Sequence, residues 1–403
     1  MTFNVNEEDL KQVVESEQNT YVKEKLKRFD KLFKALKKFM KLKKIILYGG
    51  TAINLHLPTA SKIYTENDFP DFDCFSTNPQ KDAEELAHII SKLDYKYIEV
   101  KFAMHSGTYK LYTEFQPICD FTRISKDNHA LLLKKSSFID GFYVTNIQHL
   151  KSASYLELAI PKAALFRWEK VIIRTKLLET VFMNNRSSFT KQKLQYVSFD
   201  TKINDILTKF KSYAIQQGLV LCGNACIQHH IKEVPKENNY VLTNSSGVFQ
   251  CISSNMSSTV NHYKKMLQKS KFKNISLQVE KYDLITPYTK IHITYYDDQY
   301  TFEHIKLNIC TVYSADDHCY SYNKSRGVKY ASVFFMLHML YFSLYSMNDE
   351  IDRVNIKNVI NMLMKNININ SFKTECYGTE MTLHEMKKHK WDHKKPSVLL
   401  RID

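Results

Sequence analysis

The stretch from Lys43 to Asp73 does most to limit what this chain can fold into. Ile45 to Tyr48 is a short apolar run with the length and β-branched content of a buried strand. Gly49 and Gly50 follow at once, and a glycine pair there lets the backbone turn sharply and come close to a ligand that a side chain would block. Thr51 to Leu57 reads as the start of a helix. The amides of Gly49, Gly50 and Thr51 are therefore expected at a helix N-terminus, where they can receive a phosphate.

Downstream comes Asp71-Phe72-Asp73-Cys74-Phe75. In a strand, alternation sends Asp71 and Asp73 to one face, with Phe72 and Cys74 turned into the core. Two carboxylates on one edge repel unless a cation lies between them, and magnesium held by carboxylates together with substrate phosphates resolves this. A third carboxylate lies in Tyr109 to Arg123, which reads as two strands broken near Pro117. There Asp120 sits among Ile118, Cys119 and Phe121, costly to bury without a partner. Three such groups around two ions are what a two-metal phosphoryl or nucleotidyl transfer needs. A paired aspartate or a Gly-Gly turn alone is commonly structural; the ordered set of strand, glycines, helix and three carboxylates is the informative feature.

The pattern recurs. Leu219 to Ile231, LVLCGNACIQHHI, follows Ile45 to Leu57, IILYGGTAINLHL, with Gly223 in the place of Gly49 and Asn224 in that of Gly50. VFQCISSN at 248–255 parallels DFDCFSTN at 71–78, which puts Val248 and Gln250 where Asp71 and Asp73 stood. LNICTV parallels QPICDF, and Thr311 takes the position of Asp120. A fixed order of matches suggests duplication, and the second copy has lost all three carboxylates. Cys222, Cys226, His229 and His230 have spacing compatible with zinc, but the repeat already accounts for them, so no zinc site is expected.

With 403 residues there is room for two or three domains, and 44% hydrophobic with 25% charged residues describes an ordinary globular protein. A net charge of +15 favours a polyanionic partner such as nucleic acid, although an AT-rich coding genome would also enrich lysine. Apolar residues from Val22 to Met40 recur at helical spacing. Between Val22 and Lys44 there are eleven Lys or Arg against Glu24 and Asp30, either a surface that tracks phosphates or a solvated helix face. Arg167, Lys170 and Arg174 share a helix face in the 145–182 region, which is broken at Pro161; pairing with Glu157 is the competing use of these cations. The basic run around Trp391 suits single-stranded nucleic acid or an exposed helix end. Eight scattered cysteines argue for a reducing compartment rather than a disulfide framework. Met1 to Asp9 is too polar for a signal peptide, and the apolar Tyr330 to Met347 stretch reads as a buried helix, so no membrane is expected.

Gly49-Gly50-Thr51, Asp71-Phe72-Asp73 and Asp120 match the motif order of the nucleotidyltransferase superfamily. The wording YGGTAIN followed by PDFDCFS, with Ser154 to Leu158 and Arg167 to Val171 beyond it, resembles the poly(A) polymerase catalytic subunits of large cytoplasmic DNA viruses, of the poxvirus and mimivirus type. The resemblance covers Ile45 to about Arg174 and is looser elsewhere. The twenty residues between Gly50 and Asp71 fit the viral branch better than the cellular ones.

It implies an α+β fold with a polymerase-beta-like catalytic domain at 43–190 after a basic helical segment at 1–42. A catalytically silent copy at 200–365 and a basic tail at 366–403 complete the expected organisation. It further implies template-independent addition of AMP from ATP to RNA 3' ends, with Asp71, Asp73 and Asp120 holding two Mg²⁺ or Mn²⁺ ions. Gly49, Gly50, Thr51, Arg167 and Lys170 would bind the nucleotide. The expected partners are RNA and ATP, with a homodimer or a processivity subunit, in host cytoplasm or virion. Transfer to another acceptor, such as tRNA or a protein, and a non-catalytic RNA-binding subunit remain the alternatives.

Overall fold

The structure is a computed structural model and describes residues 6–64, 68–103, 107–160, 165–182, 198–232, 234, 247–280, 288–296, 304–315, 319–346, 350–378 and 398–402. The chain forms two compact units, Met1–Leu150 with Lys388–Asp403, and Lys151–Lys387. The basic run around Trp391 lies outside the described residues.

The first unit opens with α1 (Glu7–Lys43). The Asn6 side chain accepts from the Glu8 amide at 3.0 Å, and acidic residues in the first turn with lysines in the last complement the helix dipole. Phe29, Leu32, Leu36, Phe39 and Met40 are its buried stripe. Lys44, left-handed at φ 53°, stops the helix. The Ile45 amide then donates to Met40 O at 2.9 Å and turns the chain into β1 (Ile46–Tyr48). After α2 (Gly49–His56) come β2 (Phe72–Ser76), α3 (Pro79–Ser91), β3 (Ile98–Phe102), β4 (Thr108–Thr113) and β5 (Gln116–Arg123). α4 (Lys126–Lys135), β6 (Ser137–Ile139), β7 (Phe142–Val144) and α5 (Ile147–Ala159) follow. The sheet runs β3-β4-β5-β2-β1-β7-β6, with a strand formed by Val398–Ile402 added outside β3.

Two local features differ from the sequence reading. Asp71 precedes β2 instead of lying within it: β1 ends at Tyr48, opposite Asp73, and the glycine turn leaves no strand on that side of position 71. The break between β4 and β5 falls at Glu114-Phe115, not at Pro117. Pro117 is accommodated inside β5, opposite Tyr112, where the ladder shifts register and its missing N–H costs nothing.

The second unit carries α6 (Trp168–Phe182), α7 (Thr201–Gln216), β8 (Val220–Cys222), α8 (Gly223–His230), β9 (Phe249–Ser253) and α9 (Met256–Lys269). Beyond them lie β10 (Ser276–Glu280), β11 (Tyr288–Tyr296), β12 (His304–Ser314), β13 (Tyr320–Ser325), β14 (Val328–Ala331), α10 (Val333–Ser346), α11 (Glu350–Lys365) and β15 (Glu375–Tyr377). The strand Val398–Ile402 of the first unit is β16. The second sheet runs β10-β11-β12-β9-β8-β14-β13-β15, so its first seven strands repeat the order of the first sheet. The strand senses repeat too: β1/β2 and β8/β9 are antiparallel, and β2/β5 and β9/β12 are parallel.

Local details recur at the same points. The Asn78 amide donates to Ser76 Oγ at 2.9 Å, and Asn255 donates to Ser253 Oγ at 3.0 Å. α10 is buried almost all round, as an apolar helix without periodicity should be, and no helix among the described residues is long and apolar enough to cross a membrane. Cys319 and Cys376 form a disulfide pair with Cα atoms 5.4 Å apart, an exception to the expected reduced set; the other six cysteines are buried free thiols.

Candidate active site

At the end of β1 the Tyr48 backbone is extended, and Gly49 swings to φ 69° to begin α2. A side chain on Gly49 would collide with the carboxylate of Asp73. Asp73 is paired in register with Tyr48 on one side and, through the parallel ladder, with Asp120 on the other. Parallel pairing puts both carboxylates on one face of the sheet at the same level. Asp71, exposed just ahead of β2, is fixed through its carbonyl, which accepts from Thr51 Oγ1 at 2.5 Å. The elbow, Asp73 and Asp120 thus meet at one end of the sheet, with Asp71 at its lip.

Lys110 on β4 stands directly opposite Asp120, and its Nζ is ion-paired and hydrogen-bonded to Asp120 Oδ2. Burial opposes the lysine charge, but the hydrogen bond and charge of Asp120, with a contribution from Asp71, raise its pKa above the ordinary lysine value. The Tyr48 ring stacks on Phe75 at 4.0 Å, and its hydroxyl shares a hydrogen bond of 2.8 Å with Thr122 Oγ1. Burial first, and the Asp73 charge next, push the Tyr48 phenol well above its usual range, so it remains a neutral hydrogen-bonding group. Behind the carboxylates, Cys74 and Cys119 are buried with sulfurs 3.2 Å apart, facing the core as alternation requires. Asn54 on α2 accepts from the amides of Ile63 and Tyr64 at 2.9 and 3.0 Å, which ties down the start of the long insert before Asp71.

Lys110 was not singled out from the sequence. Its signal was a lysine between Tyr109 and Leu111 in the strand facing Asp120, legible only once the β4/β5 register was known. Arg167 and Lys170 fall in the second unit, where Arg167 pairs with Glu157 at 3.4 Å, the competing use of that cation.

Among the described residues, no group of three or more His, Cys, Asp or Glu side chains is gathered closely enough to hold a metal ion. Asp73 and Asp120 nevertheless form a facing pair, and Mg²⁺ is commonly held by one or two carboxylates completed by substrate phosphates. The donor set fits an ion that arrives with a nucleotide.

The equivalent place in the second unit is filled. Gly223 repeats the turn of Gly49 at φ 59°, and a side chain there would meet Gln250 Cδ at 2.6 Å. Gln250 pairs with Thr311 across the parallel ladder, just as Asp73 pairs with Asp120. Gln250 donates to Gly247 O at 3.0 Å and accepts from the Tyr313 hydroxyl at 3.2 Å, while Asn308 and Thr311 side chains hydrogen-bond at 3.1 Å. Neutral groups satisfy one another where the first unit keeps carboxylates. Cys226 and His230 both contact Ala331 O at 3.0 Å, and His229 stacks on Tyr330 at 4.0 Å.

The fold is similar to that of the Megavirus polyadenylate synthase in its crystal structure, with a TM-score of 0.75 at 20% identity, covering 96% of this chain and 83% of that one. Residues 34–164, the segment that carries the elbow and all three aspartates, match the family described as poly(A) polymerase catalytic subunit. A protein of Acanthamoeba polyphaga mimivirus named "Putative poly(A) polymerase catalytic subunit" is 30% identical over 148 residues, 36% of this chain and 25% of that protein. Its namesake in African swine fever virus is 42% identical over 89 residues, 22% of this chain and 18% of that protein. The aligned region thus spans a quarter or less of these curated relatives, and the resemblance read from the motifs is borne out for this segment.

Proposed function

We propose that this chain is a template-independent poly(A) polymerase that adds AMP from ATP to the 3' end of RNA. One observation carries the proposal: Asp73 and Asp120 face each other beside the Gly49 elbow, within the segment that matches the polymerase family. The amides of Gly49, Gly50 and Thr51 open α2 and suit the β- and γ-phosphates of ATP. Asp71 and Asp73 would hold two Mg²⁺ or Mn²⁺ ions, and Asp120 would share the one nearest the RNA terminus. When bound, the ions polarise the α-phosphate and offset the charge developing on the leaving pyrophosphate. Asp120 would also take the proton of the 3' hydroxyl as its oxygen bonds to the α-phosphorus and the bond to pyrophosphate breaks. The roles of Arg167 and Lys170 toward the nucleotide rest on the family resemblance.

The part of the second unit at about 200–365 is proposed to be a duplicated and silent nucleotidyltransferase-like domain. Its Gln250 and Thr311 cannot replace carboxylates toward a divalent ion, and they are engaged with their neighbours. Residues 43–190 would be the catalytic domain, 1–42 and 366–403 its basic flanks, and a homodimer or processivity subunit the partner in host cytoplasm or virion.

The test is primer extension by the purified chain with each of the four nucleotides and Mg²⁺ or Mn²⁺, offering oligoribonucleotide and tRNA acceptors in parallel. A long homopolymer from ATP on RNA is expected, abolished by Asp73→Ala and Asp120→Ala without loss of fold. Undiminished incorporation by both variants would refute the assignment.

A further inference from the structure

The hairpin joining β4 to β5 closes between Thr113 and Gln116 with only Glu114 and Phe115 in the turn, both in the left-handed region at φ 47° and 61°. Such turns favour Asn-Gly, because side chains larger than Asn or Asp are strained there. Here the second position instead carries a phenylalanine that is 77% exposed. Its ring stacks, with centroids 5.1 Å apart, on Tyr97, which is 51% exposed and also left-handed at φ 52°. The two segments are tied together, the Glu114 amide donating to Lys96 O at 3.0 Å. A strained pair of large rings is held in solvent, where burial gives it nothing in return.

The location is specific. β5 and β2 are parallel, with Phe72 beside Cys119, so the hairpin tip lies at the same end of the sheet as Asp71. Phe115 lies five positions before Asp120, about 16 Å at roughly 3.3 Å per residue. α1 borders the platform: Arg28 binds Glu114 at 2.6 Å and the carbonyl of Asp94 at 2.9 Å, and Lys25 hydrogen-bonds Gln116. Lys25 also lies 4.4 Å over the ring of Phe69, two residues before Asp71. From the exposed rings to the carboxylates there is thus a continuous border of aromatic and cationic groups. Exposed aromatic faces beside a basic helix are how proteins hold single-stranded nucleic acid without regard to sequence.

We infer that Phe115 and Tyr97 form a stacking platform for a base of the RNA strand a few nucleotides upstream of the 3' end at Asp120. The inference rests on the RNA-extending function proposed above and names where its acceptor is gripped. Sequence-tolerant stacking suits an acceptor whose end is renewed at every addition.

The test uses the full chain with Phe115→Gly, Tyr97→Asn and Phe115→Trp. Glycine and asparagine accept positive φ, so the first two should relieve the turns and keep the fold, which thermal melting checks. Binding of a fluorescein-labelled oligouridylate should weaken about tenfold in each, the loss of one stacked base, and be retained in Phe115→Trp. In oligonucleotides with 2-aminopurine stepped upstream from the 3' end, one position should be quenched by the parent chain and released by Phe115→Gly. Unchanged binding and quenching in both variants would overturn the platform, whether or not ATP is incorporated. Weakened binding in a chain that incorporates no ATP would leave the platform standing and remove the polymerase. Should the variants change only sedimentation, the rings would be a contact between copies of this chain and the inference would fall.

Discussion

Gly49 and Asp73 are so close that only hydrogen fits at the glycine Cα: any side chain would run into the aspartate carboxylate, and the φ of 69° is itself unfavourable for one. Gly49→Ala should therefore displace Asp73, abolish ATP incorporation and destabilise the first unit by about 1–2 kcal/mol or more. Gly223→Ala, which would strike Gln250 instead, should cost similar stability. It should leave nucleotide binding intact. Thermal melts with and without ATP distinguish the two variants.

Lys110 occupies Asp120 as a tethered cation. A divalent ion drawn to Asp120 must displace or share with that ammonium, so Lys110→Met should tighten Mn²⁺ binding in the absence of nucleotide by about fivefold to tenfold. That is roughly 1 kcal/mol for a partly screened pair. Free Mn²⁺ measured by electron paramagnetic resonance gives the affinity directly, and an unchanged or weaker value would count against this role.

Lys151 and Glu179 form a buried ion pair at 2.6 Å in the second unit, with side chains 4% and 7% exposed. Glu179 also accepts from the hydroxyls of Tyr341 at 2.6 Å and Tyr155 at 3.2 Å. Removing one partner strands a charge, so Lys151→Met should cost about 3–5 kcal/mol, and Lys151→Met with Glu179→Leu should recover much of it. Urea unfolding of the single and double variants measures the difference.

His338 on α10 is fully enclosed. Its Nδ1 contacts Ser152 Oγ and Ser152 O, both at 2.9 Å, and Nε2 finds no partner among the described residues. Burial pushes its pKa down to about 4 from 6.5. The folded chain refuses a proton that the unfolded chain accepts, so the contribution is complete above pH 6.5 and declines as pH falls from there toward 4. The loss is at most about 3 kcal/mol. Unfolding midpoints measured across that window should slope downward in the parent chain and flatten in His338→Gln.

The parts legible in the sequence were those governed by short-range rules. β1, the glycine turn and α2 follow from an apolar run, two residues without side chains and a helix start, and the buried stripe of α1 from its periodicity. The likeness of the second sheet to the first was readable for the same reason, as Gly223, Gln250 and Thr311 follow in the same order as Gly49, Asp73 and Asp120. Pairing was what escaped. Asp71 leaves the strand where β1 runs out, Lys110 meets Asp120 only through the β4/β5 register, and Cys319 finds Cys376 across a long separation. Pro117 drew attention as a breaker, yet a register shift tolerates it and the turn went to Glu114-Phe115, whose composition gives no turn signal.

β16 closes the open border of β3 in the first sheet, although its residues are synthesised after the entire second unit. While the nascent chain emerges, β3 waits with unsatisfied backbone donors and acceptors, the kind of edge that recruits strands from other molecules. Translation that stops before residue 398 would leave that edge permanently uncovered. The first unit is thus begun first and finished last, and the outer edge of its sheet is covered by the five residues of β16.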